Sequence, residues 1–211
     1  MDRVASAFGF PFRPGAARAW LVGVPLVIFL PLGLVPLLGY SVAVVRSAAA
    51  DPEAGPPSWG PLPRLLGEGL AVALVLLVLT APFAASAALL APRFSWLLAG
   101  QSFDPFVRSG LGLVFASAAA ALPWGILLLV LMPAATARFA RSGSFADLVD
   151  PRLALGTVRR RFPTWNLAVV AIVTAWVVGL CGLGLALVGV VPGILYAMLV
   201  SAHATATLTD A

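Results

Sequence analysis

Charged side chains divide the chain into long apolar runs. An α-helix rises about 1.5 Å per residue, so roughly 20 apolar residues cross the ~30 Å hydrocarbon layer of a bilayer. The uncharged runs that reach this length lie between Arg18 and Arg46, between Glu68 and Arg93, between Arg108 and Arg138, and between Arg161 and Asp210. The pattern predicts a multi-pass membrane protein with an all-α fold, a polytopic transmembrane helical bundle.

Four full spans are expected in the second, third and last runs. The second run predicts a span over residues 69–91 and the third a span over residues 109–132. The last run is about twice as long as one crossing needs, and glycines near its middle allow a tight turn. We therefore divide it into spans over residues 165–180 and 185–208.

The first run, residues 19–45, is broken by proline. The stretch from Pro31 to Pro36 contains two proline rings, which donate no backbone hydrogen bond and should interrupt a helix. Two interpretations stay open: one kinked span, or a re-entrant hairpin whose ends share one side of the membrane. Arginine placement favours the hairpin, because short cytoplasmic loops are rich in basic residues. A re-entrant segment puts 11 arginines inside and 2 outside, whereas a full crossing gives 8 and 5.

Residues 133–165 contain the densest basic charge. The capping spacing from Ser144 to Asp147 and the pair Asp150-Pro151 predict the starts of two short helices. The second helix has one apolar face, formed by Leu155, Val158 and Phe162. A basic amphipathic helix of this kind is expected to lie on an anionic membrane surface. The predicted contact residues for lipid or a partner are Arg152, Arg159, Arg160 and Arg161.

The other polar segments complete the predicted topology. Residues 46–68 are rich in proline and predict an irregular, solvated loop. Residues 1–18 mix arginines with phenylalanines and predict an uncleaved interfacial segment, with its rings at headgroup level. We expect residues 46–68, residues 138–165 and the C-terminus in the cytoplasm. The whole chain, residues 1–211, is predicted to be a single integral membrane domain, with residues 133–165 as its basic cytoplasmic surface segment.

The composition excludes most site chemistry. Hydrophobic residues make up 61% of the chain and charged residues 10%, which excludes a soluble fold. There is one histidine, His203, and one cysteine, Cys181, and the sequence has no cluster with metal-ligand spacing and no phosphate loop. We therefore expect no enzyme activity, no metal and no cofactor. Glu68, four residues after Arg64, is expected to form a solvated interfacial ion pair.

The order of short motifs resembles that of the uncharacterised prokaryotic membrane family catalogued as domain of unknown function 4013. The shared landmarks are Gly39-Tyr40, Arg46, Pro57-Ser58-Trp59, Gly69, Pro133-Ala134-Ala135, Arg138-Phe139-Ala140, Gly143 and the closing stretch from Pro192 to Ala202. The resemblance implies an integral membrane domain of a prokaryotic cytoplasmic membrane and names no activity. The linker differs from the family pattern, because Ser58 and Gly60 stand where family members commonly have acidic residues.

Together these observations favour a non-catalytic membrane protein that acts through lipid or protein partners, with residues 138–161 as its contact surface. The expected partners are the bilayer, anionic lipids, and a membrane protein or a second copy; no nucleic acid is expected. Pairs of small residues four apart are candidate helix contacts: Ala81 and Ala85, Ala116 and Ala120, and Gly189 and Gly193. The alternative function is a small channel or facilitator for an uncharged solute, with the proline-rich first segment as its pore element.

Overall fold

The computed structural model describes residues 5–185 and 189–209, and this part of the chain is built from α-helices and short 3-10 turns. The helices are α1 Ala16–Ile28, α2 Leu30–Ala50, α3 Leu62–Leu97, α4 Pro105–Ser142, α5 Phe145–Val149, α6 Pro151–Arg160, α7 Phe162–Cys181 and α8 Val190–Ala206. The 3-10 turns are Ser6–Phe8, Phe10–Phe12 and Gly182–Leu185. The predicted all-α fold is confirmed for the described residues.

Within the described ranges, four helices are long and apolar enough to cross a membrane: α2, α3, α4 and α7, with 21, 36, 38 and 20 residues. Helices α3, α4 and α7 contain the predicted spans over residues 69–91, 109–132 and 165–180. Helix α2 is the second half of the proline-broken segment. Of the predicted span over residues 185–208, residues 186–188 lie outside the described part of the chain, and the rest contains α8, a shorter apolar helix of 17 residues. These helices identify a multi-pass membrane protein.

The chain divides into two compact units. The larger unit contains the residues up to Ala73 and those from Val130 onward, and the hairpin unit contains Leu74–Leu129. Helices α3 and α4 each contribute residues to both units.

Helices α1 and α2 form a hairpin in the larger unit. The chain turns so sharply between them that a Cβ added to Gly33 would overlap the backbone of Leu26. Arg13, just before α1, donates to the carbonyl oxygen of Ala54, just after α2, at 3.1 Å. The two ends of the first segment therefore lie together, which is the geometry that the re-entrant interpretation requires.

The break in this segment differs from the predicted one. It falls at Phe29 rather than between Pro31 and Pro36. Pro31 occupies the first turn of α2, where a helix does not use the missing N–H, so this proline starts a helix instead of ending one. The arms are consequently unequal. The 13 residues of α1 rise about 20 Å, less than the hydrocarbon thickness, while the 21 residues of α2 rise about 32 Å.

Helix α8 lies at the centre of the larger unit and packs against α7, α2 and α1. Its side chains at Leu195 and Leu199 are fully buried. Helix α7 approaches α8 through facing glycines, because a Cβ on Gly193 would lie 2.9 Å from the carbonyl carbon of Gly179. The predicted small-residue contact at Gly193 therefore operates within the chain, as close packing of two helices.

The hairpin unit is held by a narrow seam of small side chains. Ala87 of α3 packs against Ala116 and Ala120 of α4. Near the middle of the two helices, the indole Nε1 of Trp124 donates to the hydroxyl of Thr80 at 3.1 Å. The pair Ala116 and Ala120 thus contributes to intrachain packing, whereas Ala81 and Ala85 are exposed.

Candidate functional site

Four arginines lie together at one end of the larger unit. Arg46, near the end of α2, donates from Nε to the carbonyl oxygen of Ala140 near the end of α4, at 2.8 Å. Arg141 of α4 donates to the carbonyl oxygen of Thr209, which follows α8, at 2.7 Å. The ends of α2, α4 and α8 therefore meet. We call this region, with Arg13, Arg46, Arg138 and Arg141, the arginine-rich end.

Glu68 is the carboxylate that connects α2 to α3 at this end. Its Oε1 accepts from Arg46 at 2.8 Å and from Arg64 at 2.9 Å, and its side chain is 13% exposed. The sequence predicted the pair with Arg64, and the structure confirms that pair. It adds Arg46 as a second partner and buries most of the carboxylate, so the group is a shared interhelical bridge. Removing one partner of a largely buried bridge leaves an uncompensated charge, which is costly.

The linker after α2 docks onto that helix instead of lying in solvent. The Trp59 ring stacks on the Tyr40 ring with centroids 4.0 Å apart and planes at 11°. The Tyr40 hydroxyl donates to the carbonyl oxygen of Pro57 at 2.8 Å. The prediction of a solvated loop is therefore wrong for this stretch, because stacking and a hydrogen bond offset the loss of hydration. Two landmarks of the family resemblance, Gly39-Tyr40 and Pro57-Ser58-Trp59, are thereby brought together.

The N-terminal segment packs partly inside the larger unit. Phe10 is buried and its ring lies 4.5 Å from the ring of His203, centroid to centroid. Phe12, two residues later, is exposed, as expected of a ring at headgroup level. The sequence could not separate the two rings, because both lie in the same short aromatic stretch.

His203 is a buried histidine near the end of α8. Its Nδ1 has no hydrogen-bond partner among the described residues. The same residues contain no group of three or more His, Cys, Asp or Glu side chains close enough to hold a metal ion. Packing against Phe10 is therefore the role that the contacts give to His203.

Arg138 holds the surface helices α5 and α6 against the end of α4. Its NH2 donates to the carbonyl oxygen of Asp147 at 2.7 Å and to that of Asp150 at 3.3 Å. The chain reaches this arrangement through Gly143, whose φ of +68° lies in the left-handed region that glycine tolerates. From the sequence, Arg138 was identified as basic charge and as part of the landmark Arg138-Phe139-Ala140. The backbone carbonyl groups to which it donates have no signature in the sequence.

Helix α6 begins as predicted. The Asp150 carboxylate accepts from the backbone N–H of Arg152 at 2.8 Å, and Pro151 is the first helical residue. Helix α5 also begins where predicted, directly after Ser144, although Ser144 makes no side-chain cap hydrogen bond. The contact that holds α5 to the end of α4 is the bond that Arg138 donates to the carbonyl oxygen of Asp147.

The two faces of α6 have opposite environments. Ala154 and Thr157, three residues apart, are buried against the larger unit. On the opposite side, Arg152, Leu155 and Arg159 are exposed at a spacing of three and four residues, which places them on one face. We call these three residues the outward stripe.

The remaining predicted contact residues lie around the outward stripe. Arg160 is exposed and Arg161 is half-buried, so Arg161 does not share the environment of the others. Of the predicted apolar face, Leu155 and Phe162 are exposed and Val158 is half-buried. Further exposed apolar side chains accompany them: Phe145, Val149 and Leu153. The surface therefore combines basic and apolar groups.

Two hydroxyl groups of the long helices, those of Ser41 and Ser86, donate to the backbone of their own helix. Ser41 donates to the carbonyl oxygen of Leu37 at 3.1 Å. Ser86 donates to that of Pro82 at 2.7 Å. Backbone bonding of this kind is the common role of serine in membrane helices. Neither hydroxyl marks a polar path through a helix pair.

Comparison with known families shows the family to which this architecture belongs. A family model described as a protein of unknown function, DUF4013, matches residues 22–200. The chain belongs to this family. No curated protein and no solved structure matches the chain. The matched residues include α2, α3, α4 and α7, so the family domain contains the helices of membrane-spanning length.

Proposed function

We propose that this DUF4013 protein is a non-catalytic, multi-pass component of a prokaryotic cytoplasmic membrane, and that its basic surface over residues 138–161 binds anionic lipid headgroups. The observation that carries the proposal is the outward stripe of α6. Arg152 and Arg159 point away from the buried face of their helix, with the exposed Leu155 between them.

The chemistry of the stripe matches a membrane surface. A guanidinium group binds phosphate oxygens in a bidentate manner, and its weak hydration suits the headgroup layer. Exposed leucine and phenylalanine side chains gain free energy when they enter the boundary between headgroups and acyl chains. A helix that offers both groups on its outer surface fits a lipid layer of negative charge better than it fits water.

The arrangement of the arginine-rich end supports a cytoplasmic location. Each of the four arginines, Arg13, Arg46, Arg138 and Arg141, donates to a backbone carbonyl group of another segment. Together with the arginines of α6, they concentrate basic residues at one end of the larger unit, as the positive-inside rule expects of a cytoplasmic side.

The strength of the proposed lipid contact depends on the two arginines of the outward stripe. An arginine near an anionic surface contributes about 1 kcal/mol, so Arg152 and Arg159 together contribute about 2 kcal/mol, or roughly 30-fold in the equilibrium between bound and free segment. Because the outward stripe is exposed, salt at 1 M should screen most of this attraction, the Debye length being about 3 Å there.

The test uses the purified protein in vesicles. A Leu155→Cys variant in a Cys181→Ala background carries an environment-sensitive dye on the outward stripe. In vesicles with anionic lipid, nitroxides on the headgroups should quench the dye more than in neutral vesicles, and 1 M salt should remove the difference. Equal quenching in neutral and anionic vesicles would contradict the proposal.

A matched pair of variants separates local from general charge effects. Arg152→Gln with Arg159→Gln should abolish the anionic-lipid response of the dye. Arg93→Gln with Arg108→Gln removes the same charge from the other end of α3 and the start of α4, and should leave the response intact.

A further inference from the structure

The turn between α3 and α4 exposes large apolar side chains, although it lies beyond the apolar part of both helices. We call residues 93–108 the hairpin tip. Its exposed fractions are high for such side chains: 73% for Trp96, 67% for Leu97, 44% for Phe103 and 86% for Phe106. Exposure of this kind indicates a surface that is covered in the working protein.

The position of the tip along α3 is fixed by the helix itself. The uncharged part of α3, residues 69–92, rises about 36 Å, which already exceeds the ~30 Å hydrocarbon layer. Arg93 follows directly, and Arg108 is the first charged residue within α4. The exposed rings therefore lie on the polar side of the hydrocarbon boundary, between two arginines.

The tip is an ordered turn, held by a helix cap and by packing of its rings. The Asp104 carboxylate accepts from the backbone N–H of Phe106 at 2.8 Å and so starts α4. The ring of Phe94, within the tip, lies 6.4 Å from the ring of Phe115 on α4, centroid to centroid. Close packing of α3 and α4 thus continues up to the turn, and Phe106 is presented from a defined helix start.

We propose that the hairpin tip is an interfacial anchor, seated in the glycerol and phosphate layer of the leaflet that α3 reaches at its C-terminal end. Trp96 has an apolar ring and a polar N–H, the combination that favours this layer. Arg93 and Arg108 supply positive charge at the level of the lipid phosphates, and Asp104 is the acidic residue of the tip. This contact is separate from the proposed contact of α6.

Depth-dependent quenching tests the anchor. A Phe106→Cys variant in a Cys181→Ala background is labelled with an environment-sensitive dye and reconstituted in neutral vesicles. We expect an emission maximum shifted to the blue of its value in water, and stronger quenching by headgroup nitroxides than by nitroxides deep in the acyl chains. Ser86→Cys, exposed in the middle of α3, is the control and should give the opposite order of quenching.

Two results would overturn the anchor. Water-like emission without quenching would place the tip in solvent. Blue-shifted emission that neither nitroxide quenches would mean that protein, such as a second copy of the chain, covers the tip instead of lipid.

A second measurement avoids replacing a ring at the labelled position. With the dye at Ser102→Cys, Phe103→Ser with Phe106→Ser should shift the emission toward its value in water, whereas Leu89→Ser, an exposed position deeper on α3, should not. An unchanged emission in the double variant would likewise contradict the anchor.

Discussion

Arg138 should decide whether α5 and α6 stay docked, and Arg138→Met tests this. Methionine keeps an apolar stem of similar length but donates no hydrogen bond, so the carbonyl group of Asp147 loses its bond from Arg138 and that of Asp150 keeps only the 3.4 Å bond from the backbone N–H of Ala154. A hydrogen bond from a charged group contributes about 1.5–3 kcal/mol. The 2.7 Å bond to Asp147 should count fully and the 3.3 Å bond to Asp150 less, giving a loss of about 3 kcal/mol, or roughly a hundredfold in local opening.

Amide hydrogen exchange of the protein in nanodiscs measures that opening. Protection of the α6 amides from Ala154 to Arg160 should fall by about two orders of magnitude in Arg138→Met, while the α7 amides keep theirs. Arg138→Lys should recover part of the protection, because lysine offers one donor group in place of the guanidinium fork. Arg108→Met, on the same helix, is the control and should change nothing in α6.

Protection of α6 in Arg138→Met equal to that of the parent would contradict this role of Arg138. In that case the buried Ala154 and Thr157 alone would hold the helix, and the two hydrogen bonds would add nothing measurable. A loss of protection in α6 and α7 together would also refute it, because it would indicate general destabilisation instead of local release.

Two further predictions concern packing and topology. Gly193→Ala forces α7 and α8 apart, since its Cβ would lie 2.9 Å from the Gly179 carbonyl carbon, and the stability measured by thermal unfolding in detergent should fall by about 1–3 kcal/mol. Gly125→Ala is the control and should keep the parent's stability, because its Cβ would have nothing within 4 Å. An equal loss of stability in both variants would contradict the close packing of α7 on α8. Single cysteines in a Cys181→Ala background should react with an impermeant reagent from outside intact cells at Ser102 but not at Ala5 or Ser58. Labelling at Ala5 without labelling at Ser58 would demonstrate a full crossing of the first segment.

The spacing of charges predicted the long helices well because the bilayer sets one length for all of them. The spans in α3 and α4 follow from this rule alone, and the span in α7 follows from it together with the glycines that divide the last run. The break at Phe29 could not be predicted in the same way, because Pro31 can either end a helix or start one, and the choice depends on how α1 packs back onto α2.

The roles of the arginines were only partly predictable. The sequence identified the basic character of residues 138–161 and the exposed positions Arg152, Arg159 and Arg160. It could not assign Arg13, Arg46 and Arg138 to backbone carbonyl groups, because those acceptors lie on distant segments and have no signature in the sequence. Long-range acceptors become visible only when the helix ends are brought together.

Several landmarks of the DUF4013 resemblance lie at contacts between segments of the larger unit. Tyr40 stacks on Trp59, and Arg46 joins Glu68 to Ala140. A Cβ on Gly69 would overlap the carbonyl oxygen of Val35, so α2 and α3 can cross there only if glycine is present. These landmark residues therefore form contacts that hold the helix ends of the larger unit together.

The outward stripe, unlike these landmarks, takes no part in holding the helix ends together. Arg152 and Arg159 are exposed, are not landmarks of the resemblance, and belong to the face of α6 opposite Ala154. Closure of the helix ends does not require their charge, so Arg152→Gln with Arg159→Gln should leave the fold intact, as exposed substitutions away from packing contacts usually do. A loss of the anionic-lipid response in a folded double variant would then be a property of the surface itself. That separation between residues that close the fold and residues that face the membrane makes the stripe the place to test what this domain binds.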